Sequence, residues 1–274
     1  MIKDVVVNLG LERDAPARVA VSLAEMFGAH VLGLAFAYEP IIPGTIMGSV
    51  PAELIERQRA EASGKAKAAV AQFEEIARRS ALSYERRILS TSLSGASDQL
   101  GRIARRFDIV VVGQPEREHA AADEIVDEGA LFESGRPVVV VPFIHQGSLK
   151  LDRVMACWDG SRAAARSIAD SLPIMKKAKQ VEVIMVANGR AKSDEVPGAD
   201  LGQHLARHGL KVEVKRMISP DIDVASTILS YAADSSADLI VMGGYGHSRL
   251  REFVLGGVTR GMLEAMTVPV LMSH

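Results

Sequence analysis

Glycines are concentrated between residues 243 and 257, at a spacing that suits the binding of an anion. Gly243 ends an apolar run, two residues separate it from Gly246, and nine more lie between Gly246 and Gly256. Glycine lets backbone N–H groups approach a phosphate without interference from a Cβ, and a helix that begins near Gly257 would point its positive end at the same place. The pattern therefore predicts a polyphosphate site. Basic residues accompany it in the sequence: His247, Arg249, Arg251 and Arg260.

An acidic residue follows an apolar run earlier in the same half of the chain. The sequence Ala-Cys-Trp-Asp-Gly-Ser ends this run and places the carboxylate of Asp159 beside a tight turn. A carboxylate at a strand end can accept hydrogen bonds from ribose hydroxyls. The same side chain could instead cap the helix predicted at residues 162–177. The sequence therefore leaves two roles open for Asp159, one in binding and one in helix capping.

Several common catalytic patterns do not occur in the sequence. There is no Gly-x-x-x-x-Gly-Lys-Ser/Thr loop, no Gly-x-Gly-x-x-Gly fingerprint after a first strand and no Gly-x-Ser-x-Gly elbow. His204 and His208 are four residues apart, as in zinc-binding helices, but Leu205 stands where the protease motif has glutamate and no third ligand is evident. We therefore expect these histidines to face solvent and predict no metal centre.

The composition is that of a globular chain. Of 274 residues, 48% are hydrophobic and 24% charged, and 32 basic residues nearly balance 34 acidic ones. This balance gives no bulk attraction to nucleic acid or to an anionic membrane, and no apolar stretch approaches the roughly 18 residues of a membrane span. Cys157 is the only cysteine, which excludes an internal disulfide and is typical of a buried small side chain. We expect a soluble, cytoplasmic protein with no nucleic-acid or membrane partner.

A repeat across the chain indicates the elements that must position these residues. Residues 108–113 and 238–243 share an acidic residue, a β-branched run and a glycine, 130 positions apart, and the earlier strands repeat at an offset near 150. The first half therefore carries about 20 extra residues, which we place at 41–64. Strands alternate with helices in both halves, which predicts two open α/β sheets whose ligands bind beyond the carboxyl ends of the strands.

The predicted domains are residues 1–142 and 151–274, joined by a linker at 143–150. Ser97 and Asp223 are predicted at helix amino ends, and Gly28 and Gly209 at helix carboxyl ends. The helical candidates are 15–27, 53–80, 97–106, 162–177, 198–208 and 223–235.

These features together resemble the universal stress protein family in its tandem form. The resemblance rests on the doubled α/β unit, on Asp159-Gly160-Ser161 and on the glycine spacing before a Val-Pro-Val strand. It implies two doubly wound domains, each an open five-stranded parallel sheet with helices on both faces. It also implies ATP as a ligand, held by a Gly-x-x-Gly, nine residues, Gly-Ser/Thr loop. The positions carried over are Gly243, Gly246, Gly256, Gly257 and Val258 for the phosphates, Asp159 for the ribose and Val186 for the adenine.

The sequence departs from this pattern at two places. Gly257 stands where a hydroxyl residue is expected, which predicts weaker binding, and Thr259 could replace that hydroxyl only if the helix began elsewhere. The first half lacks the Asp-Gly-Ser turn, and Gly113 is followed by Gln114-Pro115-Glu116. We expect the first half to bind no nucleotide and to pair with the second half, since the family dimerises through its last strands. A homodimer of the whole chain is left open.

Two functions from different classes follow from the sequence. The first is a stress-response regulator that binds ATP or another adenine nucleotide in its second half, with Mg²⁺ as an optional companion and with slow hydrolysis or none. The second is an interaction module that works without a nucleotide through domain pairing and partner binding. A third idea is that the apolar segment at 41–50 closes over a different small molecule.

Overall fold

The computed structural model divides the chain into two compact units. It describes residues 1–11, 13–40, 51–115, 120–187, 198–218, 223–244 and 257–274. Unit 1 consists of Met1–Arg136 with Gln146–Ser148, and unit 2 consists of Pro137–His145 with Leu149–His274.

Unit 1 is built on four parallel strands in the order β3-β2-β1-β4. Strands β1 and β4 are almost entirely buried runs of valine and isoleucine, as expected for parallel strands that are covered on both faces. Its elements are β1 (Asp4–Asn8), α1 (Ala15–Phe27), β2 (His30–Tyr38), α2 (Ala52–Arg78), β3 (Tyr84–Thr91), α3 (Leu93–Ala104), β4 (Ile109–Gly113) and α4 (Ala120–Glu133).

Unit 2 repeats this order in its strands β8-β7-β6-β9 and adds β10 and then β5 beyond β9. All of these pairs are parallel except β5 with β10, which is antiparallel. The elements of unit 2 are β5 (Val138–Val141), β6 (Arg153–Cys157), α5 (Arg162–Met175), β7 (Gln180–Ala187), α6 (Ala199–Arg207), β8 (Val212–Ile218), α7 (Val224–Asp234), β9 (Leu239–Gly243), α8 (Gly257–Ala265) and β10 (Val270–Ser273).

The predicted α/β class with mostly parallel sheets is confirmed. Strand β5 belongs to the first half of the sequence repeat but pairs with β10 in unit 2, so the compact units divide after Arg136. The boundaries at 142 and 151 remain predictions. Within the described part of the chain, no helix is both long enough and apolar enough to cross a membrane.

Local signals set most helix ends. Asp223 is confirmed as the N-cap of α7, where its carboxylate accepts a hydrogen bond from the N–H of Ser226 at 3.1 Å. Gly28 ends α1 in the left-handed conformation at φ +61°. The prediction for Ser97 is wrong, because Ser92 caps α3 and Ser97 lies within that helix, packed against Gly129 of α4. Helix α4 was not among the predicted helices.

A buried carboxylate fastens α7 to the sheet of unit 2. Glu182 of β7 is 1% exposed, and its oxygens accept hydrogen bonds from Arg153 at 3.1 Å and from the hydroxyl of Tyr231 on α7 at 2.8 Å. The ammonium of Lys215 on β8 donates to the same tyrosine oxygen at 2.6 Å and lies 3.8 Å from the carboxylate. This network spans three strands and one helix, so it fixes the position of α7 over the sheet.

Candidate functional site

The carboxyl edge of unit 2 brings three of the predicted site residues to the same side of the sheet. Strand β6 lies between β7 and β9, and all three run in the same direction. Asp159 follows β6, Val186 lies near the end of β7 and Gly243 ends β9. The N–H of Trp158 donates to the carbonyl oxygen of Ile184 at 2.8 Å, which continues the pairing of β6 and β7 to this edge.

Gly243 has a packing role that the sequence argument missed. A Cβ at this position would lie 2.5 Å from the backbone nitrogen of Ala164 and 2.7 Å from the carbonyl carbon of Ala163. The end of β9 is therefore pressed against the first turn of α5, and only glycine allows this approach. The signal in the sequence was the pair of small residues at 163 and 164, which form the facing surface of the helix.

Asp159 lies in the turn that leads into α5, and Ser161, not Asp159, is the N-cap of that helix. The hydroxyl of Ser161 accepts from the N–H of Ala164 at 3.1 Å, while one carboxylate oxygen of Asp159 accepts from the N–H of Ser161 at 2.9 Å. Gly160 between them has φ +78°, a conformation that favours glycine. The other carboxylate oxygen of Asp159 has no hydrogen-bond partner among the described residues, and its side chain is exposed.

The cysteine next to this turn has a thiol of low reactivity. Cys157 is half-buried, and burial, with a smaller contribution from the negative charge of Asp159, raises the pKa of its thiol to about 12. The thiolate is the reactive form of cysteine, so a thiol with this pKa is a poor nucleophile at neutral pH. The predicted role of Cys157 as a buried small side chain agrees with this environment.

Helix α8 begins at Gly257, where the sequence led us to expect a helix start. Gly257 is exposed and Val258 is half-buried, whereas Thr259, the third residue of the helix, is only 4% exposed. The role of Thr259 at a phosphate remains a prediction. Three further predicted residues, Gly246, His247 and Gly256, lie outside the described residues, as does the segment 41–50.

Four helices of unit 2, α5 to α8, each follow a parallel strand whose carboxyl end lies at this edge of the sheet. Helices α5 and α7 begin shortly after β6 and β8, and α8 runs back from this edge to the start of β10. Helices α7 and α8 are in close contact there, since a Cβ at Gly261 would lie 3.0 Å from the Cβ of Ala225. Unpaired N–H groups and the helix dipole make such ends favourable for an anion. The described residues contain no group of three or more His, Cys, Asp or Glu side chains that could hold a metal ion.

The corresponding edge of unit 1 has different chemistry. The turn after β1 carries Asp14 at the start of α1, but this carboxylate makes no capping bond and pairs with Arg18 at 2.6 Å. Gln114, which is 5% exposed, follows Gly113 where unit 2 has a second glycine. Among the residues that the structure describes, the turn after β1 therefore differs from the Asp159 turn of unit 2, because its carboxylate at Asp14 is paired with Arg18.

Comparisons with known proteins agree with the sequence resemblance. A model described as the universal stress protein family matches residues 160–274. A universal stress protein of Synechocystis is 28% identical over 173 residues, which cover 60% of this chain and 57% of that protein, so the chain spans little more than half the length of this curated relative.

Solved structures share the fold over nearly the whole chain. A universal stress protein from Archaeoglobus fulgidus superposes with a TM-score of 0.70 at 18% identity and covers 98% of this chain and 94% of its own. A second solved structure, from Pseudomonas aeruginosa, gives a TM-score of 0.60 at 14% identity and covers 98% of this chain and 92% of its own. Residues 160–274 therefore match the universal stress protein family, and the chain as a whole has the fold of solved universal stress proteins.

Proposed function

We propose that unit 2 binds ATP or another adenine nucleotide at its carboxyl edge, and that the protein is a stress-response regulator with slow hydrolysis or none. The observation that carries this proposal is the exposed carboxylate of Asp159. One of its oxygens is held by Ser161 at 2.9 Å, while the other has no partner among the described residues and is available to a ligand. Gly243 and the start of α8 belong to the same edge.

The proposal gives each part of a nucleotide a partner. The ribose hydroxyls donate to the second oxygen of Asp159, and the adenine packs beside Val186, which is half-buried near the end of β7. The phosphates accept from the first N–H groups of α8, at Gly257 and Val258, which have no partner within an α-helix. The glycine motif adds Gly246, His247 and Gly256 to this set, and Mg²⁺ accompanies the phosphates.

Intrinsic fluorescence offers a direct test, because Trp158 is the only tryptophan and precedes Asp159. The first experiment identifies any nucleotide that the purified protein releases on denaturation. The second titrates the nucleotide-free protein with ATP and Mg²⁺, followed by Trp158 fluorescence and by calorimetry. We expect one adenine nucleotide per chain. If the protein releases no nucleotide and its titration with ATP gives no binding heat, the proposal is contradicted.

A charge-matched pair of variants locates the site. Asp159→Asn keeps an oxygen that can accept the hydrogen bond from Ser161 but removes the negative charge. A hydrogen bond to a charged group contributes about 1.5–3 kcal/mol, so its loss corresponds to roughly 10- to 150-fold weaker nucleotide binding. Asp152→Asn is the control, because Asp152 precedes β6 at the opposite edge and pairs with Lys179 at 2.7 Å. Equal affinities of the two variants would contradict the assignment of Asp159.

Restoring the missing hydroxyl should strengthen binding. A Cβ at Gly257 would meet no atom within 4 Å among the described residues, so Gly257→Ser can be accommodated at the first position of α8. A gained hydrogen bond of about 0.5–1.5 kcal/mol corresponds to roughly 2- to 13-fold tighter ATP binding. Gly257→Ala stiffens the helix start equally but adds no hydroxyl, and it serves as the control. If the alanine variant gained as much affinity as the serine variant, the hydroxyl argument would be wrong.

One observation favours the alternative of an interaction module without a nucleotide. Close packing against α5 already accounts for Gly243, so this glycine does not by itself require a phosphate. Under this alternative, the protein releases no nucleotide and gives no ATP-dependent signal. Asp159→Asn then changes its stability no more than an ordinary surface substitution does. Pairing of the two halves and a homodimer remain predictions.

A further inference from the structure

Two imidazole rings converge on the surface of unit 2, away from the nucleotide edge residues. His204 lies in the last turn of α6 and His208 is its C-cap residue, so they are one helical turn apart. Their ring centroids are separated by 4.7 Å and the ring planes meet at 65°. Both residues are exposed, while Leu205 between them is fully buried. The helix therefore holds two adjacent nitrogen ligands that solvent can reach.

Contrary to the sequence-based expectation of no metal centre, we propose that His204 and His208 form a chelating site for a divalent transition-metal ion of the Cu²⁺, Ni²⁺ or Zn²⁺ class. Imidazole nitrogen suits these ions, whereas Mg²⁺ and Ca²⁺ prefer oxygen ligands. Two ligands on one helical face lose little conformational freedom when they share an ion. The carboxyl end of a helix carries the negative end of its dipole, which also favours a cation there.

Two charged residues of α6 lie near the pair of histidines. Arg207 is adjacent to His208 and opposes the approach of a cation, while Asp200 lies one turn before His204 and accepts a hydrogen bond from the N–H of Leu201 at 2.8 Å. The described residues provide no third ligand close enough to complete the site. Within the described part of the chain, the site is therefore a two-imidazole chelate with open coordination positions.

Copper provides the sharpest test, because Cu²⁺ bound by imidazole gives nitrogen splittings in its electron paramagnetic resonance spectrum. The untagged protein is titrated with Cu²⁺ by calorimetry in a weakly chelating buffer, and the spectrum is recorded at one equivalent. We expect one Cu²⁺ per chain at this site with two imidazole nitrogens. We also expect the melting temperature followed by Trp158 fluorescence to rise in the presence of the metal.

Variants at the two exposed positions decide the assignment. His204→Asn and His208→Asn should each lose the two-nitrogen spectrum and the metal-dependent rise in melting temperature, with circular dichroism confirming that they fold. His30→Asn is the control, because His30 lies in unit 1 and contacts Ser83 at 2.9 Å; it should keep both signals. A double variant that binds Cu²⁺ as tightly as the original protein, or a spectrum with fewer than two imidazoles, would overturn the proposal. The site is independent of the proposed nucleotide function, so neither result depends on the other.

Discussion

Replacing Gly243 by alanine tests the packing of β9 against α5 through a single methyl group. The added Cβ would lie 2.5 Å from Ala164 N, 2.7 Å from the Ala163 carbonyl carbon and 2.9 Å from the Ala163 Cβ. Two of these atoms belong to the helix backbone, so no side chain can rotate away and α5 must move as a body. Overpacking of this kind costs about 1–3 kcal/mol, of which the lower entropy of the unfolded alanine chain offsets about 0.4–1 kcal/mol.

Because the nearest contacted atoms belong to the backbone, we place the cost in the upper part of this range, at about 2–3 kcal/mol, so the net loss of stability for Gly243→Ala is about 1–2.6 kcal/mol and the melting temperature falls by roughly 2–10 °C. Trp158 is the appropriate probe, since it lies in unit 2 and is the only tryptophan. Because α5 carries Ser161 and the turn of Asp159, the same variant should also bind ATP more weakly.

Two glycines supply matched controls for this substitution. A Cβ at Gly113, the counterpart of Gly243 in unit 1, would lie 3.3 Å from the Cγ of Pro16, and a Cβ at Gly257 would meet no atom within 4 Å. Gly113→Ala, followed by circular dichroism, and Gly257→Ala, followed by Trp158, should each change the melting temperature by much less than Gly243→Ala or raise it slightly. A Gly243→Ala protein that melts at or above the temperature of the original would refute the packing argument.

Three further predictions concern unit 2. Glu182→Ala should lower the free energy of unfolding, measured by urea denaturation, by about 2–4 kcal/mol, because Arg153 and Tyr231 lose a buried partner; a loss below about 0.5 kcal/mol would show that the network contributes little. Ser273→Ala should raise the same free energy by about 1 kcal/mol, because the buried hydroxyl of Ser273 has no hydrogen-bond partner among the described residues; a less stable variant would contradict this. The raised pKa of Cys157, about 12, means that the folded state binds this proton more tightly than the unfolded state. Stability should therefore fall as the pH rises above about 8.5, the ordinary thiol value, and Cys157→Ala should reduce that fall; identical pH profiles would count against it.

Sequence patterns predicted the parts of the fold that depend on neighbouring residues. Helix α1 begins and ends where its apolar periodicity and Gly28 indicate, and α7 begins after the predicted cap Asp223. The cap of α3 could not be chosen from the sequence alone, because both Ser92 and Ser97 can cap a helix and the end of β3 decides between them. The position of β5 could not be predicted either, because a strand of four valines has no residue that specifies its partner strand.

The candidate site was predictable to the level of residue type and sheet edge. The repeat placed Asp159 and Gly243 at strand ends, and parallel strands necessarily bring such ends to one edge. The sequence could not reveal which structural role requires each of these residues. The contact of Gly243 with α5 depends on which helix lies over β9, and the choice of Ser161 over Asp159 as the cap depends on the turn geometry at Gly160.

The pairing of β5 with β10 has a consequence for how the chain folds during its synthesis. Val140 of β5 pairs with Val270 of β10, 130 residues later in the sequence. A ribosome that adds about 5–20 residues per second needs roughly 7–26 s to cover that distance. Throughout this interval the four-valine strand has left the ribosome before its β10 partner has been made, and an unpaired strand edge exposes backbone N–H and C=O groups to other chains. Substitutions in β5 should therefore first affect how much newly made chain reaches the folded state, before they affect the stability of the mature protein.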